Sequence, residues 1–115
     1  MKLCVSSQGP DLASHVDCGF GRARFFIIHE EETGTFDVVD NKENKEAPRG
    51  AGIKAATAVA RAGCDWVICR HIGQDALAVL KDAGVRVAAV VSGKVSDVFR
   101  MFREGELEEI DHALS

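Results

Sequence analysis

The side chains best suited to holding a soft metal are four thiols, Cys4, Cys18, Cys64 and Cys69, with His71 two residues beyond the last. Their positions sort them. Cys4 lies inside the strand-like run Leu3–Ser6 and reads as a small core hydrophobe. Cys64 precedes the run Trp66–Cys69, and extended chain would hold the two thiols roughly 16 Å apart. That is too far for a disulfide or a shared small metal site. Cys64 therefore falls on the opposite sheet edge and is structural. Cys18, Cys69 and His71 remain, and two thiolates with an imidazole suit a soft metal or a metal–sulfur cluster. The spacing is not a C-x-x-C metal pattern, so this reading depends on the fold bringing the three together. The alternative is a buried Cys69 and an incidental loop thiol at Cys18. His15 reads as a surface loop histidine, and His29 and His112 receive no function.

Glycine marks three further stretches: Asp17-Cys18-Gly19-Phe20-Gly21-Arg22, Gly50-Ala51-Gly52 and Arg70-His71-Ile72-Gly73. Glycine lets backbone N–H groups approach a ligand closely. A helix start adds unpaired N–H groups and a dipole that favours negative charge. Gly19, Gly21, Gly50, Gly52 and Gly73, with Arg22, are therefore candidates to cradle an anion. The plainer reading is that these glycines only turn the chain. Catalytic patterns are scarce: the sequence has no P-loop, G-x-S-x-G elbow or H-E-x-x-H. Cys69 with His71 as nucleophile and base would need favourable loop geometry, because the two are only i,i+2 neighbours. Asp17, Asp75 and Asp97 are explained as turn or helix-start residues.

The elements that must position these groups follow from hydrophobic period and turn residues. Strands are expected at Leu3–Ser6, Phe25–Glu30, Thr35–Asp40, Trp66–Cys69 and Val85–Val91. A long loop from Ser7 to about Arg24 joins the first two, and such loops are often functional. The polar stretch from Asn41 to Arg49 reads as mobile. Helices are expected from Gly50 to a glycine cap at Gly63, from Asp75 to Ala83, and from about Val95 to Gly105. The resulting β-β-β-α-β-α-β-α order makes strand two antiparallel to its neighbours, and right-handed crossovers add strands four and five parallel to one and three. Ligands of open α/β sheets bind beyond the carboxyl ends of such strands. All three glycine stretches fall at that edge.

The chain of 115 residues fits a single domain, 1–115, with an acidic tail at about 108–115 ending in Ser115. With 46% hydrophobic and 28% charged residues it reads as an ordinary soluble globular protein. Fourteen basic and 18 acidic residues give a net charge of −4 with the basic residues dispersed, which argues against a nucleic-acid partner. No apolar run is long enough to cross a bilayer, and the start lacks the long apolar segment of a signal peptide. A cytoplasmic location is the default expectation.

Val16-Asp17-Cys18-Gly19-Phe20-Gly21-Arg22-Ala23, Gly50-Ala51-Gly52-Ile53-Lys54-Ala55-Ala56, His71-Ile72-Gly73-Gln74-Asp75-Ala76 and Phe102-Arg103-Glu104-Gly105-Glu106-Leu107 occur in that order. Together they resemble the dinitrogenase iron–molybdenum cofactor biosynthesis family, nearly end to end. The resemblance implies a ribonuclease H-like motif with a five-stranded mixed sheet in the order 3-2-1-4-5. It also implies binding or carriage of an iron–sulfur or molybdenum-containing cluster, in nitrogenase cofactor assembly or related metal trafficking, with cluster donor and acceptor proteins as partners. Many members look like stand-alone proteins, and a related protein carries a molybdenum–copper sulfide cluster. Two departures stand out. Cys18-Gly19 replaces a pair that is commonly Pro-Arg or similar, and Gln74-Asp75 replaces the usual proline and asparagine. The added thiol at Cys18 favours a soft metal.

The leading expectation is a non-catalytic cluster carrier, with Cys18, Cys69 and His71 as metal ligands and the glycine loops and Arg22 holding an anionic cluster. One rival is a binding module for a small anionic metabolite at the same edge. Another is a thiol enzyme using Cys69 and His71. Nuclease chemistry is excluded, because Leu3–Ser6 offers no first-strand carboxylate and 50–62 offers none on the first helix.

Overall fold

The structure, a computed structural model, describes residues 1–114; Ser115, the end of the predicted acidic tail, lies outside the described residues. The first strand, β1 (Lys2–Ser7), is buried from Leu3 onward. It sits mid-sheet with apolar layers on both faces. Leu3 and Val5 point to one layer and Cys4 to the other. β2 (Phe25–Glu30) runs antiparallel to β1, and β3 (Phe36–Asp40) antiparallel to β2. Gly34, at φ 75°, closes the β2–β3 turn, where its N–H donates to the Glu30 carbonyl at 2.8 Å.

Beyond β3 the polar stretch differs from expectation. Lys42–Glu46 forms a short helix, α1. Buried Asn41 anchors it, since its Nδ2 donates to the Gly21 and Ala23 carbonyls at 3.1 and 2.8 Å. An asparagine in a polar run carries no periodic signal, so this tether could not be read from spacing.

α2 (Ala51–Arg61) buries Ala51, Ala55, Ala56 and Val59. α3 (Gln74–Asp82) buries Ala76, Leu77 and Leu80. These two helices share the layer that contains Cys4, Cys69 and Phe20. β4 (Trp66–Cys69) and β5 (Arg86–Ala89) pair in parallel, and β4 pairs in parallel with β1. α4 (Val95–Arg103) covers the opposite face through Val95, Val98 and Phe99.

The sheet order is β3-β2-β1-β4-β5-β6, so it contains the expected 3-2-1-4-5 run but has six strands rather than five. The sixth, β6 (Glu108–Ile110), lies inside the predicted tail and pairs antiparallel with β5. It has three residues and one buried side chain, so alternation is too short to reveal it. An ion pair fixes its register: Arg86 Nε and Nη2 donate to Glu109 at 2.9 and 2.6 Å. The same guanidinium lies 4.4 Å from the centre of the Trp66 ring. Among the described residues no helix is long and apolar enough to cross a membrane.

Candidate functional site

The carboxyl ends of β1, β4 and β5 and the opening of α2 and α3 meet at one edge. The long β1–β2 connection is folded onto it. Asp17 organises the start of this loop, because its carboxylate accepts the N–H of Cys18 at 2.7 Å and of Arg24 at 2.9 Å. The Phe20 N–H donates to the His71 carbonyl at 2.9 Å, and Gly19 forms a parallel bridge with His71. Phe20 is then driven into the core, 5.0 Å from the Phe26 ring centre. A ring buried beneath the loop holds the flanking glycines at the surface.

Those glycines border an open hollow of about 620 Å³. Gly19, Gly21, Arg22, Gly50, Gly52, Gly73 and His71, all singled out by sequence, line it together. The glycines are there for different reasons. Gly50 has φ 72°, a left-handed conformation that starts α2. Gly21 and Gly52 are packed backbone to backbone: a Cβ on Gly21 would stand 2.6 Å from the Gly52 Cα. Gly19 and Gly73 are required by neither effect, since a Cβ on either would meet nothing within 4 Å. Gly73 has ordinary extended backbone, φ −78° and ψ 162°. Their missing side chains leave space on the hollow and nowhere else.

Both helix starts lack a side-chain cap. Each leaves first-turn N–H groups without an intrahelical partner, at the positive end of its dipole. Asp75 offsets part of that field from the first turn of α3. Arg22 is partly committed elsewhere: its Nη1 donates to the carbonyls of Lys45 and Ala47, both at 2.8 Å, and so ties the loop to α1.

The three expected metal ligands are not assembled. Cys18 is exposed, next to Gly19 but outside the lining. Cys69 is 0% exposed and also absent from the lining. Burial pushes its thiol up to about 12. Of the three, only His71 reaches the hollow, with a buried Nδ1 that has no hydrogen-bond partner among the described residues. Among the described residues no three His, Cys, Asp or Glu side chains are grouped to hold a metal ion.

One contributor escaped the sequence reading, whereas Arg70 stands in the Arg70–Gly73 stretch already placed at this edge. Leu114 lines the hollow and exchanges two backbone hydrogen bonds of 2.9 Å with Ile72, strapping the chain's end across the edge. Arg70 lines a second hollow of about 510 Å³ that shares His71 and Leu114 with the first. Leu114 gave no signal because an isolated leucine in an acidic tail has no period to belong to.

Fold and edge together define an α/β domain with an open hollow at the carboxyl ends of its strands. The model of the dinitrogenase iron-molybdenum cofactor family matches residues 1–105, and the chain belongs to that family. It is 27% identical to an uncharacterized protein of Methanocaldococcus jannaschii, covering 96% of this chain and 92% of that protein. The apo form of the orange protein from Desulfovibrio gigas superposes with a TM-score of 0.95 at 29% identity, covering 99% of this chain and 96% of that one. A Thermotoga protein described in connection with NifB gives a TM-score of 0.88 at 33% identity, covering 99% and 97%.

Proposed function

We propose that this protein binds and carries a preformed, anionic metal–sulfur cluster of the iron–sulfur or molybdenum–sulfur class. The observation that carries the reading is the convergence of two uncapped helix starts and the glycine loop on one hollow of about 620 Å³. N–H donors at helix starts suit an anion whose own coordination is already complete. The thiols, one exposed outside the hollow and one sealed beneath it, do not suit direct ligation at this edge. The cluster is therefore cargo held by hydrogen bonds, with His71 the imidazole in the lining. Membership in the iron-molybdenum cofactor family and likeness to a protein described in an apo form support a cluster-related binding role, and the choice of this edge rests on its geometry.

On this reading the chain performs no turnover. It holds a labile anion at the sheet edge and passes it to proteins of cofactor assembly or metal trafficking. A buried thiol at about 12 is a poor nucleophile, which counts against a thiol enzyme at Cys69. A small anionic metabolite is the second reading, and the thiol-free lining is what favours it.

The test is anaerobic incubation with tetrathiomolybdate, alone and with copper or iron salts, then gel filtration, visible absorption and elemental analysis. Wild type and Cys18→Ala should both retain metal with the protein peak. Gly19→Leu, which fills the hollow, should not. If wild type retains no metal while phosphate still binds at Gly19 and Gly73, the metabolite reading replaces the cluster reading.

A further inference from the structure

The second hollow, of about 510 Å³, is left unused by the cluster reading. It lies beyond the carboxyl ends of β4 and β5 and is lined in part by Val90, Met101 and Leu107. Its charged lining residues are Arg70, Glu106 and Glu108. Arg70 is half-buried, and its Nε is shut off from solvent with no hydrogen-bond partner among the described residues. The other half-buried arginine, Arg24, is satisfied: it pairs with Asp40 and lies 4.3 Å from the Phe25 ring centre. A buried guanidinium N–H without an acceptor is an uncompensated desolvation. A water or a ligand acceptor can satisfy such a group, and a carboxylate set against the guanidinium adds charge complementarity that water lacks.

We propose that this hollow binds an organic monocarboxylate through Arg70. The guanidinium fork matches the two oxygens of a carboxylate. Val90, Met101 and Leu107 offer an apolar surface for the rest of the molecule, continued at the rim by Val91, which is 86% exposed. Glu106 and Glu108 oppose every anion and a polyanion most, so they weaken a single carboxylate's binding while selecting it over a polyanion. This chemistry is unlike that of the first hollow, where backbone donors predominate, and it stands whether or not a cluster binds there.

The probes are hexanoate and a short peptide ending in leucine, the latter with a free or an amidated carboxyl terminus, titrated into labelled protein and followed by amide NMR shifts. Hexanoate should move Ser92 and Leu107 saturably. Arg70→Gln should weaken it about tenfold or more, and Arg70→Lys severalfold, because charge survives but the fork is lost. Glu108→Gln should tighten it, and this variant keeps the test decisive if Arg70→Gln does not fold. A peptide that binds tighter than hexanoate, and loses binding on amidation, supports the site and assigns the carboxylate to a partner's chain terminus. Equal or weaker peptide binding supports a free acid. No saturable shift with either probe, an Arg70→Gln affinity equal to wild type, or shifts confined to Gly19, Gly50 and Gly73 would overturn the proposal.

Discussion

Gly21 and Gly52 touch backbone to backbone: a Cβ placed on Gly21 would lie 2.6 Å from the Gly52 Cα and 2.7 Å from its nitrogen. Neither atom belongs to a flexible side chain, so relief requires the loop to move off α2. Gly21→Ala should therefore destabilise the fold by about 1–3 kcal/mol, as overpacking does, and widen the hollow between loop and helix. Urea unfolding measures the first effect. Wild-type stability in this variant would show that the loop is not seated on α2 as described.

Gly73 offers the opposite experiment. It precedes α3 with extended backbone and supplies no side-chain cap. Serine at this position can accept a first-turn N–H, a cap typically worth about 0.5–2 kcal/mol over alanine but only a few tenths over glycine. Gly73→Ser should thus leave the apo protein as stable as wild type or slightly more so. The same hydroxyl would occupy an N–H group that the proposed anion needs, so anion affinity should fall severalfold. A stable variant with undiminished affinity would mean that the α3 start does not contact the ligand.

The thiols give a third test. Cys18 is exposed, whereas Cys4, Cys64 and Cys69 are buried. Burial raises the Cys69 thiol to about 12 and the Cys4 thiol well above its ordinary value. Cys64, held below its ordinary value by its hydrogen bond with Cys4, is protected by its burial alone. Since only thiolate reacts, a chromogenic thiol reagent at neutral pH should consume one thiol quickly in the native protein and all four in denaturant. Mass mapping should place the fast label on Cys18. Rapid labelling of Cys69 in the native state would require an opening onto the hollow that its 0% exposure does not provide.

The elements were legible because most strands carry their own apolar run and each longer helix its own period, as at Trp66–Cys69 and Val95–Phe102, while the 3-2-1-4-5 order came from the family resemblance. The edge was legible for a related reason: strand direction follows from topology, so Gly19, Gly50 and Gly73 could be placed together without knowing any contact. Side-chain direction within the edge was not legible. Whether the last residue of β4 points up into a hollow or sideways into the layer under α2 and α3 depends on pleat phase, and Cys69 points into that layer. Nor does sequence spacing show that a lone Asn41 anchors a helix or that Leu114 returns to the site, since each acts through a pair of long-range hydrogen bonds that leave no periodic trace.

Glu31 joins the β2–β3 turn to the end of α4. Its carboxylate accepts Arg103 Nε at 2.6 Å and Nη2 at 3.1 Å, and it also lies 2.9 Å from His29 Nδ1. The Arg103 guanidinium, with His29 as a lesser contributor, holds the carboxyl of Glu31 below its ordinary value. A carboxyl whose folded value is depressed stabilises the fold above the unfolded value and loses that contribution as pH falls through the folded one. Arg103 is 45% exposed on its side chain, so screening keeps the effect small. Arg103→Gln should cost about 0.5–1 kcal/mol near neutrality, and the gap from wild type should close as the solution is acidified below the ordinary carboxylate range. Added salt should shrink the neutral-pH gap in the same way. A gap that stays constant with pH and salt would assign the loss to packing of the arginine stem rather than to the charge pair.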